Sequence, residues 1–388
     1  MSRCGAGGSR WPLRDRRAAS QIRCPMHICY VCRGVFTHIP AYVRFFRGQG
    51  HRVSLIHIDR HPVEGAENRS ASVGAFDPAR GKWKLPLHLP RVAWHLSHLR
   101  PDIVHAHYAT SAGILAALSG FGPLVVSCHG SDILLGGRDF WRRTAVRIAL
   151  ARARLVHVVS PQVREGVLAV GVPADRILVA NVGVPTGRLM VPRPRARGGP
   201  VMILCTRHLE PIYDVATLLD ALSLLRRRFG GFRCTVAGKG YLEAELRGKA
   251  HKLDLDSHVR FLGGYDPEDL PGLLADADVY VSPAHSDGTS LSLLEGMAGG
   301  LFPVVTDIPA NREWITDGEN GILFTPGDPK ALARALETAC REDELRRAVA
   351  GCNRDIVRAR GDRDRNMGKI EQAYRMVLSG SGAGRERG

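Results

Sequence analysis

The chain contains two series of short, β-rich apolar segments that alternate with longer segments of helical character. The first series starts at Met26 with MHICYVC and continues with HRVSLIHI, DIVHAHY, PLVVSCHG, LVHVVS and ILVANVG. Residues 191–199, VPRPRARGG, are rich in proline, arginine and glycine, and the second series follows them with VMILCTR. Strands that alternate with helices form parallel sheets with helices on both faces. The pattern therefore predicts an α/β fold with two Rossmann-like, doubly wound domains that face each other across a cleft.

The alternation also sets the predicted domain boundaries. Residues 1–25 carry six arginines and one acidic residue without the apolar core of a signal peptide, so a disordered basic extension is expected. The other predicted units are a first domain at 26–190, a linker at 191–199, a second domain at 200–362, a helix at 363–379 and a disordered tail at 380–388. The apolar spacing of that helix, from about Arg365 to Leu378, suits packing on a surface.

The excess positive charge lies in the first half of the chain. The net charge is +16; residues 1–190 hold 26 Lys and Arg against 10 Asp and Glu, and residues 191–388 hold 28 of each class. A basic first domain favours an anionic partner, which is an acidic acceptor, a lipid-phosphate acceptor or an anionic membrane surface. Nucleic acid is not expected as a partner, because no zinc-finger spacing or other reader motif accompanies the charge.

Cysteine usage and hydropathy indicate the compartment. The nine cysteines form no disulfide framework, and Cys29 and Cys32 lie inside a strand-like segment, so buried reduced thiols are expected. No segment approaches the roughly 20 apolar residues of a membrane-spanning helix. The basic segment GGRDFWRRTAVRIALARARL could lie on an anionic membrane, although a solvated arginine face is the favoured interpretation. A cytoplasmic protein is predicted, with a peripheral position on the inner face of the membrane as a variant.

The segment SDGTSLSLLEGMAGG, from Ser286 to Gly300, predicts a site for an activated sugar. It follows the strand-like ADADVYVSP and opens into a helix, so its first amides and the helix dipole favour a phosphate. Glu295, eight positions after Asp287, could accept hydrogen bonds from a sugar diol. The residues expected to cradle the diphosphate are Gly288, Thr289, Ser290 and Leu291. The alternative is structural, with Ser286 or Asp287 as a helix cap and Glu295 on the helix surface.

The following segment, FPVVTDIPANREWITDGENGILF, predicts a second strand at Pro303–Thr306, a proline-containing loop and a hairpin-like return. Together the two segments resemble the donor-site signature of the retaining glycosyltransferases of family four, the group 1 glycosyl transferases. The resemblance implies the two-domain GT-B architecture, with a last helix that crosses back to the first domain. It also implies transfer from a nucleoside-diphosphate sugar to a glycan, a lipid-linked or another small acceptor, with no cofactor besides that donor substrate.

The resemblance assigns roles in the second domain and reveals two departures. Arg207, after the strand VMILC, would stabilise the charge on the departing diphosphate. The lysine that the family usually has five residues later is replaced by Ile212 or Tyr213, and Lys239 in AGKG is a candidate substitute. Asp287 stands where glutamate is more common, which shortens the reach of the carboxylate by about 1.3 Å. The residues expected to hold the nucleobase are Gly264 and Tyr265.

The first domain supplies candidate residues at the ends of its strands. The resemblance makes His129, in His129-Gly130-Ser131-Asp132, a contact of the donor sugar and places Gly34 against the diphosphate. The residues assigned to the acceptor side are His38, His107 and Thr110. His105 and His107 share one face of a strand, but no third ligand at suitable spacing is evident, so no metal site is predicted.

The sequence favours transfer with retention by front-face attack. A glycosidase-like mechanism needs two closely placed carboxylates, and no second one is evident. The departing diphosphate would then take the acceptor's proton, with Arg207, His129, Asp287 and Glu295 as the catalytic residues. Two rivals remain open. One is a nucleotide-sugar epimerase of similar fold, which would need an acid–base set. The other is a non-catalytic sugar-nucleotide or glycan-binding protein derived from such an enzyme.

Overall fold

The computed structural model describes residues 24–33, 38–58, 62–72, 87–134, 140–190 and 199–382. In the first domain the described strands are β1 (His27–Cys32), β2 (Arg52–His57), β3 (Glu67–Ser70), β4 (Ile103–His107), β5 (Leu124–Cys128), β6 (Leu155–Val158) and β7 (Ile177–Val179). They form one parallel sheet in the order β3-β2-β1-β4-β5-β6-β7. Its helices are α1 (Ile39–Gly48), α2 (Leu89–Leu99), α3 (Ile114–Leu118), α4 (Ser131–Leu134), α5 (Phe140–Arg152), α6 (Pro161–Ala169) and α7 (Thr186–Leu189).

The second domain repeats this architecture. Its strands are β8 (Val201–Cys205), β9 (Phe232–Ala237), β10 (Val259–Gly263), β11 (Val279–Ser282), β12 (Phe302–Thr306) and β13 (Ile322–Phe324). They form a parallel sheet in the order β10-β9-β8-β11-β12-β13. Its helices are α8 (Val215–Arg226), α9 (Glu243–Lys252), α10 (Leu270–Ala275), α11 (Leu291–Ala298), α12 (Pro309–Arg312), α13 (Pro329–Arg341) and α14 (Asp343–Ile356). The predicted α/β fold with two doubly wound domains is confirmed.

The inner strands of the first domain, β1, β2, β4, β5 and β6, are buried on both faces, which explains their continuous apolar runs. In β1, Ile28 and Tyr30 face the core that contains α1, whereas Cys29 and Val31 face the core on the other side of the sheet. Successive side chains of a strand point to opposite faces, so one run fills two cores. Cys29 and Cys32 are buried reduced thiols, as the sequence predicted.

The last helix, α15 (Arg363–Gly382), crosses from the second domain to the first. Its Met367, Ile370, Tyr374 and Val377 join the core that contains α1. The ring of Tyr374 stacks on Phe46 with ring centroids 5.3 Å apart. The crossing helix that the resemblance implied is therefore confirmed. It also continues through Gly382, into the segment predicted to be a disordered tail.

The start of α15 is fixed by a close approach of two backbone segments. The Val184 N–H donates to the Gly361 carbonyl at 2.8 Å, and the Arg363 N–H donates to the Val184 carbonyl at 3.0 Å. Gly183 has φ +69°, and a Cβ at this position would come within 2.7 Å of the Arg363 nitrogen. Glycine is required there. This contact positions Arg363 beside the cleft.

Three local predictions were wrong. The segment GENGILF does not return as a hairpin, because β13 runs parallel to β12 and follows a turn closed by a bridge between Asp317 and Gly321. The sequence also suggested two helical stretches after Ala331, whereas the chain contains most of α13, then α14 and α15 there. The polar strand β3 was not predicted, since ENRS lacks the apolar alternation of a strand.

The described part of the chain contains no helix that combines the length and apolar character needed to cross a bilayer. Residues 1–23 and 191–198, which hold most of the predicted extension and linker, lie outside the described residues.

Candidate functional site

A cavity of about 610 Å³ lies between the two domains, at the carboxyl ends of their strands. The predicted site residues that line it are His38, Arg207, Lys239, Gly264, Tyr265, Asp287, Thr289, Leu291 and Glu295. The other predicted residues that the structure describes, namely His107, Thr110, His129, Gly288 and Ser290, are not part of its lining. Gly34 lies outside the described residues, so its predicted role stays a prediction. Most of the predicted donor-site residues are thus brought together.

Arg207 is a buried cation held in a fixed orientation after β8. Its Nη2 donates to Asp287 Oδ2 at 2.7 Å, and its Nη1 donates to Ser292 Oγ at 2.6 Å and to Ser290 Oγ at 3.2 Å. The guanidinium carbon lies 4.2 Å from the centroid of the Tyr213 ring. Burial alone would lower the pKa of Arg207. Asp287 and the neighbouring tyrosines raise this pKa by more than burial lowers it, so the side chain stays charged.

This arrangement revises two expectations from the sequence. Asp287 is an ion-pair partner of Arg207, so its carboxylate orients the guanidinium in addition to any contact with a sugar. Tyr213, at one of the two positions aligned with the family lysine, presents an aromatic face to Arg207. An aromatic face stabilises a cation without adding a second charge. Ser292 was missed because a serine inside a helix carries no motif of its own.

The helix α11 begins later than predicted. Ser290 is its N-cap residue and Leu291 its first residue, so Thr289 and Ser290 do not belong to the first helical turn. The Leu291 N–H donates to the Thr289 carbonyl at 3.0 Å. The prediction of Thr289, Ser290 and Leu291 as the first-turn amides was therefore wrong by two residues. The amides of Ser292 and Leu293 occupy that place instead.

The residues before α11 contact the first domain. Thr289 Oγ1 donates to the Val159 carbonyl at 2.8 Å. A Cβ on Gly288 would overlap the carbonyl oxygen of His129. A residue with any side chain at position 288 would hold the two domains apart, so glycine allows this edge of the cleft to close.

Glu295 lies one turn into α11 and faces the cavity. Burial raises the pKa of Glu295 to about 7, although Arg363 and Arg207 act in the opposite direction. Arg363 belongs to α15, so the crossing helix reaches the donor side of the cleft. Arg44 of α1 also lines the cavity. Neither arginine was predicted, because no local pattern signals an arginine brought in from a distant element.

Glycines allow close packing of the loops that follow β8, β9 and β10 in the second domain. An added Cβ at Gly238 would overlap the Arg207 carbonyl, and one at Gly240 would overlap the Leu209 carbonyl. The sequence AGKG therefore allows the loop after β9 to lie against the loop after β8. Lys239 extends across Gly264, where its side-chain carbons occupy the space of a Cβ. Lys239 is thus held next to the predicted nucleobase loop.

Three histidines of the first domain form a cluster beside the cavity. His107 Nδ1 and His129 Nε2 share a hydrogen bond of 3.0 Å, and the rings of His38 and His129 stack with centroids 4.2 Å apart. Burial is the main cause that lowers the pKa of His38 to about 3 and the pKa values of His107 and His129 well below their usual value. All three imidazoles are therefore neutral near pH 7.

The neighbours of this cluster have structural roles. Asp132 is buried in the first turn of α4, and its carboxylate accepts the backbone N–H groups of His129, Gly130 and Ala109. His105 is hydrogen-bonded to Tyr374 of α15 and, at 2.6 Å, to Ser127. His105 is not part of the cluster; His107 is joined instead by His38 and His129, which are distant in sequence. Thr110 lies in a π-helical turn at Tyr108–Gly113 and does not reach the cavity.

Two family profiles match the chain. The family described as Glycosyltransferase Family 4 matches residues 32–188, and the family described as Glycosyl transferases group 1 matches residues 191–353. Among curated proteins, the chain is 29% identical over 376 residues to the phosphatidyl-myo-inositol mannosyltransferase of Mycobacterium tuberculosis, covering 90% of this chain and 94% of the relative. It is 30% identical over 256 residues to the glycogen synthase of the same species, covering 62% and 60%.

Solved structures share the fold. The sucrose-phosphate synthase of Thermosynechococcus elongatus superposes with a TM-score of 0.77 at 19% identity, covering 92% of this chain and 100% of that chain. Anabaena HepE in complex with UDP-glucose superposes with a TM-score of 0.73 at 20% identity, with the same coverage of 92% and 100%. At these identities the similarity shows a common two-domain architecture.

Proposed function

The chain belongs to the group 1 glycosyltransferases, and on that basis we propose that its cleft binds the diphosphate of a sugar nucleotide between Arg207 and the start of α11. The chain is a nucleotide-sugar glycosyltransferase, and a retaining, metal-independent reaction fits this family. The observation that supports the proposed site is the fixed guanidinium of Arg207, which three side chains orient at the wall of the interdomain cavity. A permanently charged donor at that place stabilises a leaving diphosphate.

The proposed reaction is front-face transfer at the anomeric carbon. The bond from this carbon to the diphosphate oxygen breaks while the acceptor hydroxyl oxygen bonds to the carbon from the same face. The departing oxygen takes the hydroxyl proton, so no protein base is needed. The interaction between Arg207 and the diphosphate becomes stronger in this step, because negative charge grows on the diphosphate as the bond breaks. Lys239, held beside Gly264, is proposed to supply the second positive charge in place of the family lysine.

The remaining donor contacts follow from the positions of the side chains. Glu295 is proposed to accept hydrogen bonds from the ribose hydroxyls, and Arg363 favours the ionised form of its carboxyl group. Gly264 and Tyr265 line the same wall and are proposed to contact the nucleobase. His129 is proposed to contact the donor sugar as a neutral imidazole, since its backbone is fixed by Asp132 beside Gly288.

The acceptor is proposed to enter along the first domain. His38 lines the cavity and is the direct acceptor-side candidate. His107 is fully buried and would act through the hydrogen bond to His129, and Thr110 would act only through the backbone of its turn. The substrate class is a glycan, lipid-linked or small hydroxyl acceptor. No cofactor is proposed besides the nucleotide-sugar donor.

Incubation with UDP-, GDP- and ADP-sugars tests the assignment. We expect one nucleotide series to be hydrolysed slowly without acceptor, because a weakly held water can replace the acceptor hydroxyl. The released nucleoside diphosphate is measured by chromatography. The same donor should be turned over far more slowly by Glu295→Ala, whereas Glu344→Ala, an exposed glutamate of α14, serves as the matched control. Tight donor binding without any turnover, with or without acceptor, would favour the non-catalytic rival.

We also propose that the first domain rests on an anionic membrane through α5. Phe140 and Trp141 at the start of this helix are 72% and 77% exposed, and the neighbouring Arg143 and Arg147 are exposed as well. Aromatic rings beside arginines suit the interface of an anionic bilayer. The buried side chains of α5, Val146, Ala149 and Leu150, lie later in the helix than the exposed aromatic pair. A cytoplasmic location, peripheral on the inner face of the membrane, is part of the same proposal.

Flotation with vesicles tests this surface. We expect the protein to float with vesicles that contain phosphatidylglycerol and not with pure phosphatidylcholine vesicles. A Phe140→Ser/Trp141→Ser double variant should float several-fold less, because it loses the apolar part of the contact. Trp94→Ser, which removes another exposed tryptophan, at 56% exposure in α2, is the control. Equal flotation of both variants would exclude α5 as the membrane contact.

A further inference from the structure

Three imidazoles converge in the first domain from three separate elements. His38 precedes α1, His107 ends β4 and His129 follows β5. One ring nitrogen of each histidine lies within 4.8 Å of those of the other two. The backbone around two of them is rigid, since His107 belongs to the central strands and the His129 N–H donates to Asp132 at 3.0 Å. Such convergence does not follow from hydrophobic packing alone, because three polar rings occupy one place.

The donor set matches one class of metal ion. Imidazole nitrogens suit zinc and the other late first-row divalent cations, whereas magnesium prefers oxygen ligands. Zinc–nitrogen bonds of 2.0–2.1 Å in a tetrahedral site separate neighbouring ligand nitrogens by about 3.3 Å. His107 Nδ1 and His129 Nε2 are 3.0 Å apart, so these two rings need little movement. The ring of His38, stacked at 4.2 Å on His129, would turn to bring its nitrogen to the same centre.

The surroundings favour a site made of nitrogen ligands only. Both oxygens of Asp132, the nearest acid in the His129 loop, are engaged by backbone N–H groups. His107 is fully buried, and its Nδ1 faces His129 and not solvent. His38 lines the cavity, so the fourth coordination position would open toward the cleft. A cation can therefore reach the three rings from the substrate side.

We propose that His38, His107 and His129 form a three-imidazole site for a zinc-class divalent cation, and that this cation inhibits the transferase. The transfer itself needs no metal. The inhibitory half rests on the proposed function, because His129 cannot bind the cation and contact the donor sugar at the same time. A cation bound at the cluster therefore prevents binding of the donor sugar, and a bound donor prevents binding of the cation.

Cobalt binding to tag-free, chelator-treated protein tests the site without relying on activity. We expect one equivalent of Co²⁺ to give the intense visible bands of a four-coordinate ion, which Zn²⁺ displaces and Mg²⁺ does not. His38→Gln and His107→Gln should each weaken this binding more than about tenfold, since even changes behind the ligands cost that much. His251→Gln, a histidine whose side chain is 79% exposed, is the matched control. Circular dichroism checks that each variant is folded.

The outcomes separate the two halves of the proposal. Weak bands of a six-coordinate ion, or binding that is unchanged in folded His38→Gln, would overturn the site. Cobalt bound at the three histidines with an affinity that saturating sugar nucleotide leaves unchanged would overturn the inhibition. A protein that binds cobalt at the cluster but no sugar nucleotide would refute the proposed function and leave the cation site standing. The supporting result is release of cobalt from the protein when the donor is added, together with inhibition of donor turnover by Zn²⁺.

Discussion

Replacing Arg207 with alanine is expected to lower the turnover number about 10²- to 10³-fold, with a smaller effect on the KM of the donor. The reason is that the sugar nucleotide already carries the charge of its diphosphate in the ground state, whereas additional charge appears only as the bond to the sugar breaks. A guanidinium that is buried and held by Asp287 and Ser292 requires no reorganisation when that charge appears. Steady-state rates with the donor identified in the panel measure the effect.

Arg207→Lys separates charge from geometry. A lysine keeps one positive charge, but a single ammonium group cannot reproduce the fork that contacts Asp287, Ser290 and Ser292 together. We therefore expect a turnover number between those of the parent enzyme and Arg207→Ala. Arg334→Ala, at an exposed position of α13, is the control for loss of a positive charge. An Arg207→Ala enzyme with the parent turnover number would remove this residue from the mechanism.

The fold was largely predictable because its signals are local. Parallel strands buried on both faces produce continuous apolar runs, as in β1 and β5, and these runs marked most strands of both sheets. The strand β3 was missed because it lies at the edge of its sheet and its four residues are polar. The start of α11 was placed too early because Gly288, Thr289 and Ser290 resemble a helix start. Gly288 and Thr289 instead contact the first domain, and Ser290 accepts a hydrogen bond from Arg207.

Residues of the site could be predicted only where the residue type and its position in a local motif were sufficient to identify them. Arg207 was found from its place after a strand and Glu295 from its spacing after Asp287 at a helix start, and both line the cavity. The pairing of Arg207 with Asp287 joins residues 80 positions apart, and no spacing rule reports it. The approach of Arg363 to Glu295 depends on how α15 crosses between the domains. The histidine cluster likewise depends on the order of strands β1, β4 and β5 in the sheet.

The residues that join the two domains lie next to those that orient the groups proposed to bind the donor. The loop before α11 contacts the first domain through Thr289 and Gly288, and the next residues orient Arg207. The crossing helix contributes Arg363 to the donor wall while its apolar residues are anchored in the first domain. Movement of one domain against the other would therefore change the position of Arg363 relative to Glu295. The pKa of Glu295 therefore depends on how the two domains are positioned relative to each other.

The affinity for the donor is expected to fall about tenfold between pH 8 and pH 6, with a midpoint near pH 7 set by Glu295. Burial raises the pKa of Glu295 to about 7, so the carboxyl is mostly ionised at pH 8 and mostly protonated at pH 6. The ionised form accepts hydrogen bonds from two ribose hydroxyls at once, and protonation removes one acceptor. His38 stays neutral throughout this range, because its pKa is lowered to about 3. Calorimetric titration with the intact sugar nucleotide, whose doubly esterified diphosphate has no terminal phosphate that titrates in this range, measures the affinity at each pH.

Two variants identify the titrating group. Glu295→Gln should bind the donor weakly at every pH, because an amide cannot ionise, and its affinity should not vary between pH 6 and pH 8. Arg363→Met should move the midpoint above pH 7, since this arginine lowers the pKa of Glu295, whereas Arg363→Lys should stay close to the parent protein. Because the ribose hydroxyls favour the ionised carboxyl, binding near pH 6 should release a proton, which buffers of different ionisation enthalpy detect. A pH dependence that persists in Glu295→Gln would assign the titration to another group and detach Glu295 from the ribose.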